Sequence, residues 1–266
     1  WYTGQCPLTD DGQVVLGVGG KPLMIGVDCE TGEVTWQTPN PDKWKMSHSS
    51  VMPVTVEGRK MYVYCAIGGM LGVSAEREDR GNILWKTDEW DFPVVAPAPV
   101  SLGDGRIFVT AGYGAGSAMF KISMESGRFT IKRLYKLEKN IFACEQHTPV
   151  FYGGKLYSVL PADAGSTRKQ AVCMDPEGKV AWTSKSERFG LGPFMIADDK
   201  LFILDDNGTL TMARPGGQEF KELAKARVLE GKEAWAPMAL VDGLLLVRDY
   251  GKMKCLDLRA TKIEER

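Results

Sequence analysis

Several signals that would assign a chain to a large class of proteins are missing from these 266 residues. No run of about 18 apolar residues occurs, so the sequence predicts no membrane-spanning helix. A net charge of −1 favours neither nucleic acid nor an anionic membrane as a partner. There are only two histidines and six cysteines, and no Cys-x-x-Cys pair or Cys/His cluster has the spacing of a zinc site. We therefore expect no metal centre.

The chain begins with Trp1-Tyr2, without an initiator methionine or a signal peptide. We expect that processing or truncation has removed the original amino terminus. The six cysteines are scattered singly, and we interpret them as small buried hydrophobic residues and not as disulfide partners. Cys173 and Cys255 each precede an aspartate of a repeated motif by two residues, so we expect them at equivalent strand positions.

Glycine and proline are plentiful and evenly spread, as is typical of many short strands joined by turns. A proline flanked by apolar residues recurs at intervals of 44 to 50 residues, each time followed by a Gly/Asp turn and a second apolar run. These prolines are Pro7, Pro53, Pro99, Pro149, Pro193 and Pro237. The spacing predicts six units of one size, and a repeat of this period indicates a solenoid or a propeller.

A second repeated signal is a hairpin of the form Val27-Asp28-x-x-Thr31-Gly32-Glu33-x-x-Trp36. Gly32 accepts a positive φ, and the short side chains of Asp28 and Thr31 can bond backbone groups of the turn. The clearest further copy spans Ala171 to Trp182, and another runs from Leu71 to Trp85 with an insertion. The weaker copies lie at Phe120 to Gly127, Met212 to Gly217 and Lys254 to Leu258.

The second apolar run of each unit is continuous and does not alternate, which indicates strands covered on both faces. Four-stranded antiparallel units buried between neighbours are the blades of a β-propeller, so we predict an all-β propeller. A single domain over 1–266 is expected to hold six blades. The predicted blades are 1–45, 46–91, 92–141, 142–187, 188–231 and 232–266. The stretch from Glu219 to Glu233 has some helical character, but the repeat favours a strand and a loop there.

The hairpin motif resembles the tryptophan-docking repeat of propellers of the pyrroloquinoline-quinone (PQQ) type. The resemblance implies that Trp36, Trp85 and Trp182 pack against the neighbouring blade, with Phe129 or Ile131 as the replacement in the third unit. Similar proteins include quinoprotein alcohol dehydrogenases and the propeller lipoprotein of the outer-membrane assembly machinery. Such propellers usually have seven or eight blades, so about two amino-terminal blades are expected to be missing here.

The resemblance leaves two functional classes open, because function depends on sites placed on a fold. One is a PQQ-dependent dehydrogenase of alcohols or polymers, whose cofactor lies on a disulfide of adjacent cysteines beside a calcium ion. This sequence has no adjacent cysteines, and Asp205-Asp206-Asn207-Gly208 fits a hairpin turn better than a calcium loop. We favour the other class, a secreted or periplasmic binding or scaffolding propeller without a cofactor. Its expected partner is a protein, a carbohydrate or another polymer.

Candidate site residues lie just before the first strand of a unit, in segments that converge on one face of a propeller. The funnel candidates are His48, Glu145, Gln146, His147 and Trp235. Ser49 or Ser50 beside His48 would allow a nucleophile, but no Gly-x-Ser-x-Gly elbow is present. Two histidines and one glutamate could bind a metal ion, although their spacing does not support it. We favour histidines that satisfy backbone groups at the funnel.

Mixed charges surround the insertion of the second unit, where Arg77, Arg80 and Lys86 lie near Glu76. Such a mixture is typical of a solvated loop and not of an anion site.

Overall fold

The computed structural model describes residues 4–259 of the chain. These residues form two compact units, the first comprising the described residues up to 151 with 163–166 and the second 152–162 with the described residues from 167 onward. Every sheet is antiparallel and joins strands that are consecutive in the chain. The predicted all-β fold with six blade-like sheets is confirmed, whereas the single domain over 1–266 remains a prediction.

The first unit contains three four-stranded sheets. The first sheet consists of β1 (Leu8–Asp10), β2 (Gln13–Gly17), β3 (Pro22–Asp28) and β4 (Val34–Pro39). The second consists of β5 (Met52–Val56), β6 (Arg59–Ala66), β7 (Gly69–Ser74) and β8 (Ile83–Thr87). The third consists of β9 (Val100–Gly103), β10 (Arg106–Ala111), β11 (Gly116–Glu125) and β12 (Arg128–Leu137).

The fourth sheet begins at the boundary between the units, and the fifth and sixth lie in the second unit. The fourth consists of β13 (Val150–Tyr152), β14 (Lys155–Val159), β15 (Ala171–Met174) and β16 (Val180–Thr183), with a 3-10 turn at Gly165–Thr167. The fifth consists of β17 (Phe194–Ala197), β18 (Lys200–Leu204), β19 (Thr209–Arg214) and β20 (Lys221–Arg227). The sixth has three described strands, β21 (Ala239–Val241), β22 (Leu244–Arg248) and β23 (Met253–Asp257).

Helical structure is scarce in the described range. The stretch between Glu219 and Glu233 contains β20, so the preference for a strand over a helix is confirmed. Among residues 4–259, no helix is long and apolar enough to cross a membrane.

Each unit has its own apolar core between sheets. In the first unit, one cluster joins Met61, Trp85 and Phe120 across the second and third sheets. A cluster of the second unit joins Phe202 of the fifth sheet to Leu245 of the sixth. The predicted coverage of both faces holds for β6, β10, β14 and β18, which are buried at four or more consecutive positions, whereas β2 and β22 are not continuously buried.

The third and fourth strands of a sheet share one irregularity in their pairing. Gly26 lies opposite Trp36, and the register then shifts so that Val27 lies opposite Val34. The same shift follows an equivalent pair in each of the four other four-stranded sheets described. These pairs are Gly72 with Trp85, Met119 with Tyr135, Cys173 with Trp182, and Met212 with Ala224. A bulge at one position thus aligns the five sheets residue by residue.

The tryptophans of this position are buried between sheets, as predicted. Trp36 and Trp182 are 9% and 5% exposed, and Trp85 is 5% exposed. The Trp36 ring stacks on Tyr62 of the second sheet with centroids 6.0 Å apart. The ring centroid of Trp182 lies 5.6 Å from that of Phe220, in the connection between β19 and β20 of the fifth sheet. The packing of each tryptophan is thus established within its own unit.

The replacement predicted for the third sheet is wrong. The pairing places Tyr135, and neither Phe129 nor Ile131, at the tryptophan position. Strands β11 and β12 are ten residues long, so their turn lies farther along the hairpin than in the first sheet. Counting from the Gly in the turn therefore misaligned this unit by several residues.

The repeated aspartate closes its turn as predicted. The Asp28 carboxylate accepts the backbone N–H of Thr31 at 2.8 Å and that of Glu30 at 3.0 Å. Asp175 accepts Lys179 N–H at 2.8 Å in the fourth sheet. These hydrogen bonds, first that from Thr31 and then that from Glu30, lower the pKa of Asp28 because they favour its ionised form.

Two further expectations are corrected by burial. The interpretation of all six cysteines as buried holds for Cys65, Cys144 and Cys173, whereas the other three are exposed. All six are free thiols, and burial raises the pKa of Cys65 to about 12. The insertion of the second sheet is not simply solvated, because the side chain of Arg80 is only 12% exposed and pairs with Asp11 at 2.7 Å.

Candidate functional site

The segments that precede the first strand of each sheet, here called lead-in segments, are tied to one another by side chains. Cys6 N–H donates to Ser50 Oγ at 3.0 Å. At the equivalent place two sheets later, Ala98 N–H donates to Thr148 Oγ1 at 2.9 Å. In both pairs the hydroxyl belongs to a residue that lies shortly before the first strand of the following sheet. Short hydroxyl side chains there accept hydrogen bonds from backbone N–H groups that are not paired with a neighbouring strand.

His48 also supports the neighbouring lead-in segment. Its Nδ1 accepts Gly4 N–H at 3.1 Å, and its own N–H donates to the Val95 carbonyl at 3.1 Å. The ring is half-buried and lies beside a small cavity of about 100 Å³ lined by Ser47 and Ile67, among others. The structure therefore gives His48 the backbone-satisfying role that the sequence analysis favoured.

A buried polar cluster lies beneath these segments in the first unit. The hydroxyl of Tyr64 accepts Ser47 N–H at 2.9 Å, and Ser47 Oγ donates to the Cys65 carbonyl. Gln5 Oε1 accepts Gly17 N–H at 2.9 Å. Burial raises the pKa of Tyr64. A satisfied buried network of this kind rigidifies the segments that it joins.

The lead-in segment of the fourth sheet carries three of the predicted site residues. Glu145 packs on Gly112, where an added Cβ would lie 2.4 Å from Glu145 Cγ. Partial desolvation, and then the charge of Glu145 and a hydrogen bond to it, raise the pKa of Tyr113. Gln146 is exposed and His147 is half-buried. With Tyr113 at 59% exposure, this part of the first unit presents an aromatic ring, a carboxylate and an amide.

In the second unit, Trp235 belongs to a cluster centred on Asp206. One carboxylate oxygen, Oδ1, accepts Leu191 N–H at 2.7 Å and Trp235 Nε1–H at 3.0 Å. The other, Oδ2, lies 3.5 Å from Lys169 Nζ. Asp206 thus holds the lead-in segments of the fifth and sixth sheets. Trp235 keeps 36% of its surface exposed.

Asp206 was not among the residues predicted from the sequence to line a site. The prediction that Asp205-Asp206-Asn207-Gly208 forms a hairpin turn is confirmed, because the turn joins β18 to β19. Asp205 accepts Asn207 N–H and Thr209 N–H, which leaves the neighbouring carboxylate to reach outward. The available signal was a turn that contains two aspartates, although one aspartate is enough to close it.

The five predicted site residues fall in different units. His48, Glu145, Gln146 and His147 lie in the first unit and Trp235 in the second. That they share a funnel remains a prediction.

No activated serine is found beside His48. Ser49 Oγ donates to the Pro97 carbonyl at 3.0 Å, and Ser50 Oγ accepts Cys6 N–H. His48 Nδ1 is used by Gly4 N–H. Nucleophilic catalysis requires a hydroxyl that donates to a base. These hydrogen bonds involve backbone groups, and the role that they indicate for the side chains is structural.

The residues do not fit the cofactor that the resemblance implies. No two of the six cysteines are adjacent, so the disulfide platform for PQQ cannot form. Among residues 4–259, no group of three or more His, Cys, Asp or Glu side chains could hold a metal ion. Calcium needs six to eight oxygen ligands, several of them carboxylates.

A scan against models of protein families finds no match, and a search of curated proteins finds none either. Solved structures do match. BamB from Moraxella catarrhalis aligns with a TM-score of 0.59 at 13% identity, covering 91% of this chain and 68% of BamB. AztD from Citrobacter koseri aligns with a TM-score of 0.57 at 11% identity, covering 95% of this chain and 68% of AztD. The computationally designed Ika8 protein aligns at 0.50 with 8% identity, covering 94% and 81%.

The predicted β-propeller fold is confirmed by these matches and by the six antiparallel sheets. The resemblance noted from the tryptophan-docking motif therefore holds for the fold. At such low identities the likeness concerns the fold alone, and the function must be argued from this chain's own residues.

Proposed function

We propose that the chain is a non-catalytic binding or scaffolding propeller that presents its lead-in segments to a partner. The observation that carries the proposal is a difference between side chains of these segments: some bond the backbone and others are exposed. His48, Ser50 and Asp206 bond backbone N–H groups of other segments, whereas Gln146 is exposed and Trp235 is partly so. A rigid frame with a few exposed aromatic and amide groups is suited to recognition.

The proposal includes no cofactor. The lead-in hydroxyls and His48 are engaged in backbone hydrogen bonds, which supports binding over catalysis. The alternative, a PQQ-dependent dehydrogenase, would require adjacent cysteines, which the sequence lacks, and a calcium site, for which residues 4–259 offer no cluster of ligands.

The partner we propose is a protein, a carbohydrate or another polymer, met in the periplasm or outside the cell. The exposed rings of Tyr113 and Trp235 offer flat apolar surface with a polar tip. Gln146 and Glu145 add an amide and a carboxylate beside the first ring. Such a mixture suits hydroxyl-rich sugars and peptide backbones. A net charge of −1 supports neither nucleic acid nor an anionic membrane.

The experiment is a binding screen of immobilised chain against defined soluble polysaccharides and purified periplasmic proteins. A genuine ligand should bind the wild type saturably and lose at least tenfold in affinity in Gln146→Arg or Trp235→Ala. The matched control is Tyr152→Ala, which removes an exposed aromatic from a strand end next to the β13–β14 turn. A ligand that loses as much affinity in the control, or none in the two variants, would place binding elsewhere.

A further inference from the structure

The fifth sheet departs from the others at the tryptophan position. Its register places Ala224 opposite Met212, with the same shift that follows Trp36 and Gly26 in the first sheet. A large ring is therefore replaced by a methyl group at an interface that the ring fills elsewhere. The deleted volume lies between the fifth and sixth sheets, both of which belong to the second unit.

A pocket of about 450 Å³ lies at this place, here called the Ala224 pocket. Phe202, Leu210 and Met212 line it from the fifth sheet, and Leu256 and Leu258 line it from the sixth. Phe202 and Leu210 are buried in the core cluster that also includes Met212 and Leu256. The pocket is thus a continuation of the apolar core that opens to solvent.

The first two sheets show what fills the equivalent space. There Trp36 belongs to one buried cluster with Val15 and Met24 of its own sheet and with Val73 and Ala75 of the next. By register these four residues correspond to Phe202, Leu210, Leu256 and Leu258. The walls of the Ala224 pocket are therefore the walls that elsewhere enclose an indole ring.

We propose that the Ala224 pocket binds a free, planar, apolar aromatic molecule of about the size of indole. Apolar pockets that core truncation leaves behind take up flat aromatic molecules, and a cavity of about 150 Å³ is enough for benzene. Met212 and Cys255 add sulfur atoms, which make favourable contacts with aromatic rings. The Asp257 carboxylate at the rim is paired with Arg259 at 2.6 Å, so the apolar walls and not this charge would hold the ring.

A small molecule fits the surroundings better than a docked protein. Strand β20, which borders the pocket, is exposed along all seven residues and carries Lys221, Glu222, Lys225 and Arg227. Lys225 is held by ion pairs to Glu222 and to a second carboxylate. The core of a protein interface is depleted of charge. Charged residues on β20 border the apolar pocket, whose extent suits a single ring.

The test uses 5-fluoroindole as the probe and fluorine NMR of the full chain as the readout. Wild-type protein should broaden and shift the probe signal saturably. Ala224→Trp should weaken binding at least tenfold, because its own indole occupies the pocket. In the fourth sheet Cys173 is equivalent to Met212 and lies opposite Trp182, so a side chain at this position tolerates a tryptophan ring. Glu219→Trp, which adds a tryptophan to an exposed turn, should bind like the wild type.

Three outcomes would overturn the proposal, two concerning the pocket and one concerning the control. For the pocket, one is the absence of saturable binding to wild-type protein, and the other is unchanged binding in Ala224→Trp. If Ala224→Trp does not fold by circular dichroism, Ala224→Leu serves in its place, and the same loss of affinity is expected from the smaller obstruction. Binding that is lost equally in Glu219→Trp would also contradict the assignment.

Discussion

Trp36 lies directly over Gly26 on the neighbouring strand. A Cβ built on Gly26 would lie 2.0 Å from Trp36 Nε1, so the ring as it lies in this sheet leaves no room for a side chain at position 26. The indole N–H donates to Gln13 Oε1 at 2.7 Å. Trp85 lies over Gly72 in the same way, with an added Cβ at 2.3 Å. In the first two sheets, glycine and tryptophan thus act as a pair that positions the ring against neighbouring residues, whereas Trp182 lies opposite Cys173.

Gly26→Ala should therefore displace Trp36 and destabilise the protein. Overpacking of a dense core typically costs about 1–3 kcal/mol, and chemical denaturation should show a loss in this range. Gly20→Ala is the matched control, because its Cβ would meet nothing closer than the Pro22 carbonyl at 3.9 Å. Equal losses in the two variants would show that the close approach has no energetic consequence.

Truncation of a docked tryptophan should be more costly. Trp182→Ala removes the ring that contacts Phe220 and leaves a cavity, for which about 3–5 kcal/mol is expected. Denaturant unfolding measures the loss.

Acrylamide should reach Trp235, at 36% exposure, far more readily than Trp182, at 5%. Quenching of both rings to the same extent in single-tryptophan variants would contradict the burial.

Much of this architecture could be predicted because its signals are local and repeated. The turn that Asp28 closes and the ring of Trp36 recur at a fixed distance, so the blade period and the buried rings followed from the sequence. The third sheet failed because its longer hairpin shifts the turn away from Tyr135 without any change in composition. Strand pairing, and not spacing, identifies the equivalent residue.

The site was less predictable, because its contacts join distant parts of the chain. Asp206 bonds Leu191 and Trp235, which lie 15 and 29 residues away in the sequence. Nothing in a turn of two aspartates shows which carboxylate reaches another segment. The burial of Arg80 against Asp11 depends in the same way on two loops, 69 residues apart, that only the fold brings together.

Asp206→Ala should loosen the lead-in segments of the second unit. It leaves the N–H groups of Leu191 and Trp235 without their acceptor, and an unsatisfied donor costs about 1–3 kcal/mol. Asp206→Asn keeps an acceptor oxygen while it removes the charge facing Lys169, so a smaller loss is expected. Denaturant unfolding with Trp235 fluorescence reports both effects. Equal losses in the two variants would assign the effect to charge and not to the hydrogen bonds.

Acid should weaken the turns that aspartates close. Backbone N–H groups lower the pKa of Asp28 and, through Gly251 and then Lys252, that of Asp249 below the ordinary value of 3.8. A carboxyl with a depressed pKa adds stability that is fully present above pH 3.8 and is lost as the pH falls through its folded pKa. Denaturation midpoints should therefore drop below pH 3.8. The drop should be smaller in Asp28→Ala, and an unchanged acid limb in that variant would contradict the assignment.

The most direct test of a non-catalytic binding propeller is titration of the chain with PQQ and calcium. The absorbance of the cofactor reports binding, and an electron-accepting dye reports alcohol oxidation. The account predicts neither stoichiometric binding nor dye reduction, because the sequence has no adjacent cysteines and the described part of the chain has no cluster of calcium ligands. Stoichiometric binding with alcohol-dependent dye reduction that is lost in His147→Ala would contradict it.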